Sequence, residues 1–127
     1  MTLGKKILGQ AGEDWAADVL KKKGYRILEK NFRHPLGEID IIALHEDTVC
    51  FIEVKTRTTA SRGTPLEAIT PRKKHKLTQL ALVYLKRKNW LKRKARFDMA
   101  AVTTDEDQKP CVKILENAFD AMGPYLY

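Results

Sequence analysis

Two short segments, Gly37-Glu38-Ile39-Asp40-Ile41-Ile42-Ala43 and Phe51-Ile52-Glu53-Val54-Lys55-Thr56-Arg57, constrain this chain more than any other feature in it. Both are rich in β-branched residues, as strands are. Neither shows the clean alternation of a strand with one wet face. Near-continuous apolar runs belong to strands covered on both sides, which calls for a sheet sandwiched between helices. The polar stretch His45-Glu46-Asp47-Thr48 between them reads as a hairpin turn. For an even-length loop centred between Glu46 and Asp47, Asp40 falls opposite Glu53 and Glu38 opposite Lys55. Side chains alternate faces along a strand, so all four groups then share one face. An odd-length loop would draw Asp40 and Glu53 apart.

Directly opposed Cβ atoms sit roughly 4.5–5.5 Å apart. Two carboxylates that close repel, and in strands this apolar they are costly to bury unless paired or metal-bound. A divalent cation with a taste for hard oxygen donors, Mg2+ or Mn2+, resolves the conflict. Lys55 then stands beside it, placed to act on a water or a phosphate. The plainer alternative is a pair of solvent-facing acids at a slack sheet edge.

A chain of 127 residues, 43% hydrophobic and 31% charged, fits one globular domain. No apolar run approaches the roughly 20 residues needed to span a bilayer. Met1-Thr2-Leu3-Gly4-Lys5-Lys6 lacks the apolar core of a signal peptide. Cys50 and Cys111 are isolated, with no ligand spacing and no disulfide framework, so a reducing cytoplasmic compartment is the expectation. The net charge of +8 is unevenly spread. No acidic residue lies between Glu67 and Asp98, and Arg72, Lys73, Lys74 and Lys76 open that stretch. Such a block creates a strong local field, and nucleic acid is the commonest polyanionic partner. A solvated lysine-rich helix face is the alternative. An acidic cation site beside a basic block suits phosphodiester chemistry, which needs both.

Along the chain, helical periodicity runs from about Lys5 to Lys23, with Gly24 as its stop. A strand is expected over Tyr25–Phe32, a turn at Pro35 and Gly37, and then the two strands above. A short helical piece is expected at Leu66–Ile69. Thr70-Pro71 caps a helix reaching about Asn89. Lys73, Lys74 and Lys76 crowd its first turns, where cations are disfavoured by the helix dipole, which points to an anionic ligand there. Strands follow at Arg96–Thr103 and Cys111–Leu115, with a closing helix over Asn117–Met122. The predicted architecture is an α/β/α sandwich with a mixed central sheet. Trp15 reads as core, and Trp90 and Tyr84 read as packing against the sheet rather than stacking on bases. His34, His45 and His75 share no ligand spacing, His45 falls in the turn, and Asp98 reads as structural.

Asp40 followed by Glu53-Val54-Lys55 resembles the D…(D/E)xK signature of the PD-(D/E)XK, or restriction-endonuclease-like, nuclease superfamily. The chain as a whole is similar to the YraN-like family of small bacterial proteins within it. Gly9-Gln10-Ala11-Gly12-Glu13 with Ala16-Ala17, Asn31-Phe32-Arg33, the two strand segments, Arg96-Phe97-Asp98-Met99-Ala100-Ala101-Val102 and Glu116-Asn117-Ala118-Phe119 carry the likeness. Ile39 stands where many members of the superfamily have a proline. The resemblance implies a restriction-endonuclease-like fold with Asp40 and Glu53 as metal ligands and the Val54 backbone carbonyl as a third donor. Lys55 would orient the attacking water or stabilise the phosphorane charge. Glu13 resembles the acidic residue that closes the site in archaeal Holliday-junction resolvases, although a surface carboxylate near a helix start is its ordinary reading. Glu38 matches a family position without an assigned role, and Gln79 a polar helix position used in some branches. Arg57, Arg72, Lys73, Lys74, Lys76 and Gln79 are the candidate nucleic-acid contacts. The expected activity is metal-dependent endonucleolytic hydrolysis of DNA, ahead of RNA, with branched or structured DNA in view and no membrane partner. A homodimer is implied if four-way junctions are the substrate, because two cuts need two sites. The alternative is a non-catalytic nucleic-acid-binding module on the same fold.

Overall fold

The computed structural model describes residues 2–58, 65–105, 107 and 109–122, with 2–8, 65 and 66 described by backbone alone. Helix α1 (Thr2–Lys22) ends in Lys21 and Lys22, which complement the negative end of its dipole, before Gly24 turns the chain at φ 92°. Strands β1 (Tyr25–His34), β2 (Gly37–His45) and β3 (Thr48–Thr58) follow as a meander. A 3-10 turn at Pro65–Ala68 leads into helix α2 (Pro71–Lys88). The Thr70 side chain accepts a hydrogen bond from the Lys73 N–H at the start of α2, and Asn89 ends it in the left-handed conformation. Strands β4 (Ala95–Thr104) and β5 (Pro110–Phe119) complete the sheet.

The sheet order is β1-β2-β3-β4-β5, antiparallel throughout except for the parallel β3·β4 pair. A parallel pair needs a crossover, and α2 supplies it. On one face, Ala16, Ala17 and Leu20 of α1 bury Ile41, Ala43, Cys50, Ile52, Ala100 and Val102. On the other, Leu77, Leu80, Tyr84 and Leu85 of α2 bury Ile39, Ile42, Phe51 and Met99. The sheet is therefore covered on both sides, as the apolar runs require, and Cys50 is core. No helix among the described residues is long and apolar enough to cross a membrane.

The hairpin takes the even-loop register, with Ile41 opposite Ile52, Ala43 opposite Cys50 and His45 opposite Thr48. Regular pairing then stops short of Asp40 and Glu53, and does not extend to Glu38 and Lys55. Ile39 joins the α2-side core and Ile41 the α1-side core, so the alternation of faces breaks at Asp40. The β1·β2 ladder skips the same place. Lys30 pairs with Ile41 and Phe32 with Ile39, leaving out Asn31 and Asp40, and Asn31 adopts φ 55°.

The expected closing helix over Asn117–Met122 does not form, because β5 continues to Phe119. The buried Asp98 carboxylate takes the Asn117 N–H at 2.8 Å, Asn117 turns to φ 50°, and the β4·β5 register shifts between Phe97 and Met99. Phe119 then stacks on Phe97, with ring centroids 4.7 Å apart. A short helical pattern loses to a buried acceptor that needs a backbone donor.

Candidate metal centre

Asp40 stands where β2 and β3 stop pairing, and its carboxylate replaces the missing ladder bond by accepting the Val54 N–H at 2.8 Å. Glu13 arrives from α1, which rides close on β3 at the neighbouring residue. A Cβ on Gly12 would collide with Thr56 Oγ1, so a glycine here permits the approach. Glu38 comes from the start of β2. Glu13, Glu38 and Asp40 each offer a carboxylate oxygen, and these lie within 4.8 Å of one another.

Asn31 sits among them. With its carboxamide nitrogen facing the acids, it donates to Glu38 Oε1 at 2.7 Å and to Glu13 Oε2 at 3.2 Å. Arg33 Nε lies 3.7 Å from the other Glu38 oxygen. The Glu13 carboxyl is held above its ordinary range, first by burial, then by the charges of Asp40 and Glu38.

Glu53 is on the α2 side, 7% exposed. Burial pushes its carboxyl up to about 7, and the neighbouring Asp40 charge adds to the rise. Lys73 and Lys55 pull the other way, with Lys73 Nζ 3.5 Å from Glu53 Oε2. The lysine that looked misplaced at a helix N-terminus thus has an anion inside the protein. Glu53 lies outside the three-carboxylate group, and the Asp40 charge links it to that group.

Hard oxygens of this kind fit Mg2+ or Mn2+. Around Mg2+ at 2.0–2.1 Å in octahedral geometry, ligand oxygens are roughly 2.9–4.2 Å apart. The Glu13, Glu38 and Asp40 oxygens are already within a small side-chain adjustment of that spacing. The repulsion that raises Glu13 is what a cation would relieve.

Of the sequence-predicted residues, Glu13, Glu38, Asp40 and Glu53 gather here, with Lys55 close enough to act on Glu53. Val54 donates its N–H to Asp40. Lys73 and Lys76 line a cleft of about 180 Å³ with Leu36, Gly37, Glu38, Leu77 and Leu80. Arg72 and Lys76 are exposed on the first turns of α2. Lys74 Nζ lies 5.7 Å over the Phe119 ring. Arg57 lies late in β3, and Gln79 is half-buried on α2. Sequence reasoning gave Asn31 no role. An asparagine opposite the aspartate of a hairpin, at a position tolerant of left-handed backbone, was the available signal.

A separate polar cluster surrounds Asp98, which is fully buried and structural, as its sequence context suggests. Asp98 accepts from Arg96 Nε at 2.9 Å and from the Tyr25 hydroxyl at 3.0 Å. His45 does more than fill a turn. Its ring stacks on Tyr25 at 4.1 Å, and its Nδ1 lies 2.7 Å from Arg96 Nη2.

Comparison with known proteins agrees on one point. The chain is 43% identical over 120 residues to a UPF0102 protein of Moorella thermoacetica, covering 94% of this chain and all of that one. It is 45% identical over 115 residues to a UPF0102 protein of Geobacter sulfurreducens, covering 91% and 90%. A UPF0102 protein of Chlorobium phaeobacteroides is 50% identical over 95 residues, three quarters of each chain. Among solved structures, Pyrococcus furiosus SfsA in complex with Ca2+ is similar at TM-score 0.42 and 14% identity, covering 88% of this chain and 63% of that one. A likeness that weak says nothing about this chain's chemistry. The model of the uncharacterised protein family UPF0102 matches residues 12–102, which include every acid of the site, and the chain belongs to that family.

Proposed function

We propose that this protein is a metal-dependent nuclease on a restriction-endonuclease-like fold, hydrolysing phosphodiester bonds in DNA, with branched or otherwise structured DNA as the favoured form. The observation that carries the reading is the convergence of Glu13, Glu38 and Asp40 beside Glu53 and Lys55, next to a lysine-lined cleft. Isolated acids need no such arrangement, and burying them together costs stability.

Glu13, Glu38 and Asp40, with Glu53 joining through Asp40, would hold Mg2+ or Mn2+. When bound, the ion supplies a Lewis acid and lowers the pKa of bound water. Lys55 holds a positive charge beside Glu53, where negative charge grows on the phosphoryl oxygens as water attacks phosphorus. One P–O ester bond breaks, leaving a hydroxyl on one fragment and a phosphate monoester on the other. Lys73 and Lys76 line the approach and attract flanking phosphates.

One observation favours the binding-module alternative. Glu53 already has a cationic partner in Lys73, so this acid is partly compensated without any ion. A cleavage panel separates the two readings. Single-stranded, duplex, flap and four-way junction DNA are incubated with Mg2+ or Mn2+, beside Asp40→Asn and Lys55→Ala. The nuclease reading expects cutting by the wild type alone. Salt-sensitive binding that survives both substitutions, with no cutting of any form, refutes it.

A further inference from the structure

We propose that the Asn31 carboxamide is a two-state element of the carboxylate site: its nitrogen cross-links Glu13 and Glu38 when no cation is bound, and its oxygen turns to the cation when one is. The proposal rests on the metal-site reading above and adds a residue to it.

Three observations carry it. First, Asn31 holds φ 55° in the middle of β1, a conformation that asparagine and glycine accept far more readily than most residues. Second, Asn31 and Asp40 are the facing residues that the β1·β2 ladder leaves out. The gap in the ladder thus falls where these two side chains meet the other acids. Third, the amide end that faces Glu13 and Glu38 does so at 2.7–3.3 Å, so whichever atom is there is in direct contact.

A carboxamide has one donor end and one acceptor end, and ionised carboxylates only accept. Without a cation, the nitrogen must face the acids, and it then ties α1 to β2 through two charge-assisted hydrogen bonds. With the oxygen inward, acceptor faces acceptor, and that arrangement is stable only around positive charge. Amide oxygens are accepted ligands of Mg2+-type ions. The terminal torsion of asparagine is broad and roughly two-fold, so a half-turn exchanges the two ends without moving the backbone. Asparagine thus serves both states. Aspartate would add a fourth acid where no cation offsets the charge.

The test uses Asn31→Gly, which keeps the left-handed backbone while deleting the amide, and Asn31→Asp, which keeps only acceptors. Mn2+ and Mg2+ affinity are measured by calorimetry, and thermal stability is followed in EDTA. Both variants lose the cross-link, so both melt below wild type without metal. The proposal expects Asn31→Gly to bind Mn2+ about ten-fold more weakly and Asn31→Asp to bind it more tightly than wild type. A residue that only cross-links would compete with the ion, so its removal would leave affinity unchanged or raise it; that result for Asn31→Gly overturns the proposal while leaving the metal site standing. In 15N spectra of the wild type, the Asn31 side-chain NH2 signal moves when Mg2+ saturates the site, and a signal that stays fixed also overturns it. If the wild type takes up neither ion, the metal reading and this proposal fall together.

Discussion

Replacing Glu53 by glutamine tests the electrostatics of the site without any substrate. A glutamate ordinarily titrates near 4.5, and in the fold Glu53 titrates near 7. Between those values the folded protein keeps a proton that the unfolded chain has released. Stability is therefore complete below about pH 4.5 and is lost as pH rises through the folded value. Each unit is worth about 1.36 kcal/mol, so this one buried carboxyl removes on the order of 3 kcal/mol of stability by pH 8. Glu53→Gln mimics the protonated form and cannot titrate. Urea unfolding in EDTA between about pH 5 and 8 should give a falling curve for the wild type and a much flatter one for the variant. The variant should then be the more stable protein at pH 8. Glu13 shifts in the same direction, so the difference between the two curves isolates Glu53. Saturating Mg2+ should flatten the wild-type curve from the other side, because a bound cation stabilises the ionised acids. Parallel curves for the two proteins would refute the account of Glu53 as a buried acid that holds its proton to higher pH.

Two further predictions concern the scaffold. Gly12→Ala places a Cβ against Thr56 Oγ1 and should cost about 1–3 kcal/mol in urea unfolding. Adding Thr56→Ala removes the clashing atom and should recover most of that loss, whereas additive losses would mean the helix does not ride on Thr56. Arg96→Met takes the guanidinium away from the fully buried Asp98 and should destabilise by about 3–5 kcal/mol. Tyr25→Phe removes one of several donors to the same carboxylate and should cost about 1–2 kcal/mol. Equal losses would show that Arg96 is not the main counter-charge.

Much of the architecture was legible because the chain writes it in strong local signals. The apolar runs of β2 and β3 demanded cover on both faces, the polar stretch His45–Thr48 marked the hairpin turn, and Thr70-Pro71 marked the start of α2; the even register was one of two the turn allowed. What failed was decided by tertiary contacts. Asn117–Met122 has a helical pattern, but Asp98, nineteen residues away and fully buried, claims the Asn117 N–H and holds the segment in the sheet. Lys73 looked as though it awaited an external anion, because nothing in the order of residues says that Glu53 lies beneath it. The four-group face predicted from strict alternation proved too regular. Glu38 serves the site from the Glu13 side, and no period of two could place it there.

The departure from alternation is itself what makes the site possible. On a regular strand a side chain serves one layer of the sandwich, either the α1 side or the α2 side. Asp40 has to meet Glu13 in one layer and Glu53 in the other, and it does so where β2 leaves both ladders. The lost pairing is made good by the Asp40 carboxylate accepting the Val54 N–H, so one side chain both repairs the backbone and supplies the charge. Two substitutions separate these roles. Asp40→Asn keeps an oxygen for Val54 and should leave stability within about 1 kcal/mol of wild type in EDTA while lowering Mn2+ affinity. Asp40→Ala orphans the Val54 N–H and should cost a further 1–3 kcal/mol or so. If both variants unfold at the same urea concentration, the carboxylate is not the strand's missing partner, and the break at Asp40 would need another cause.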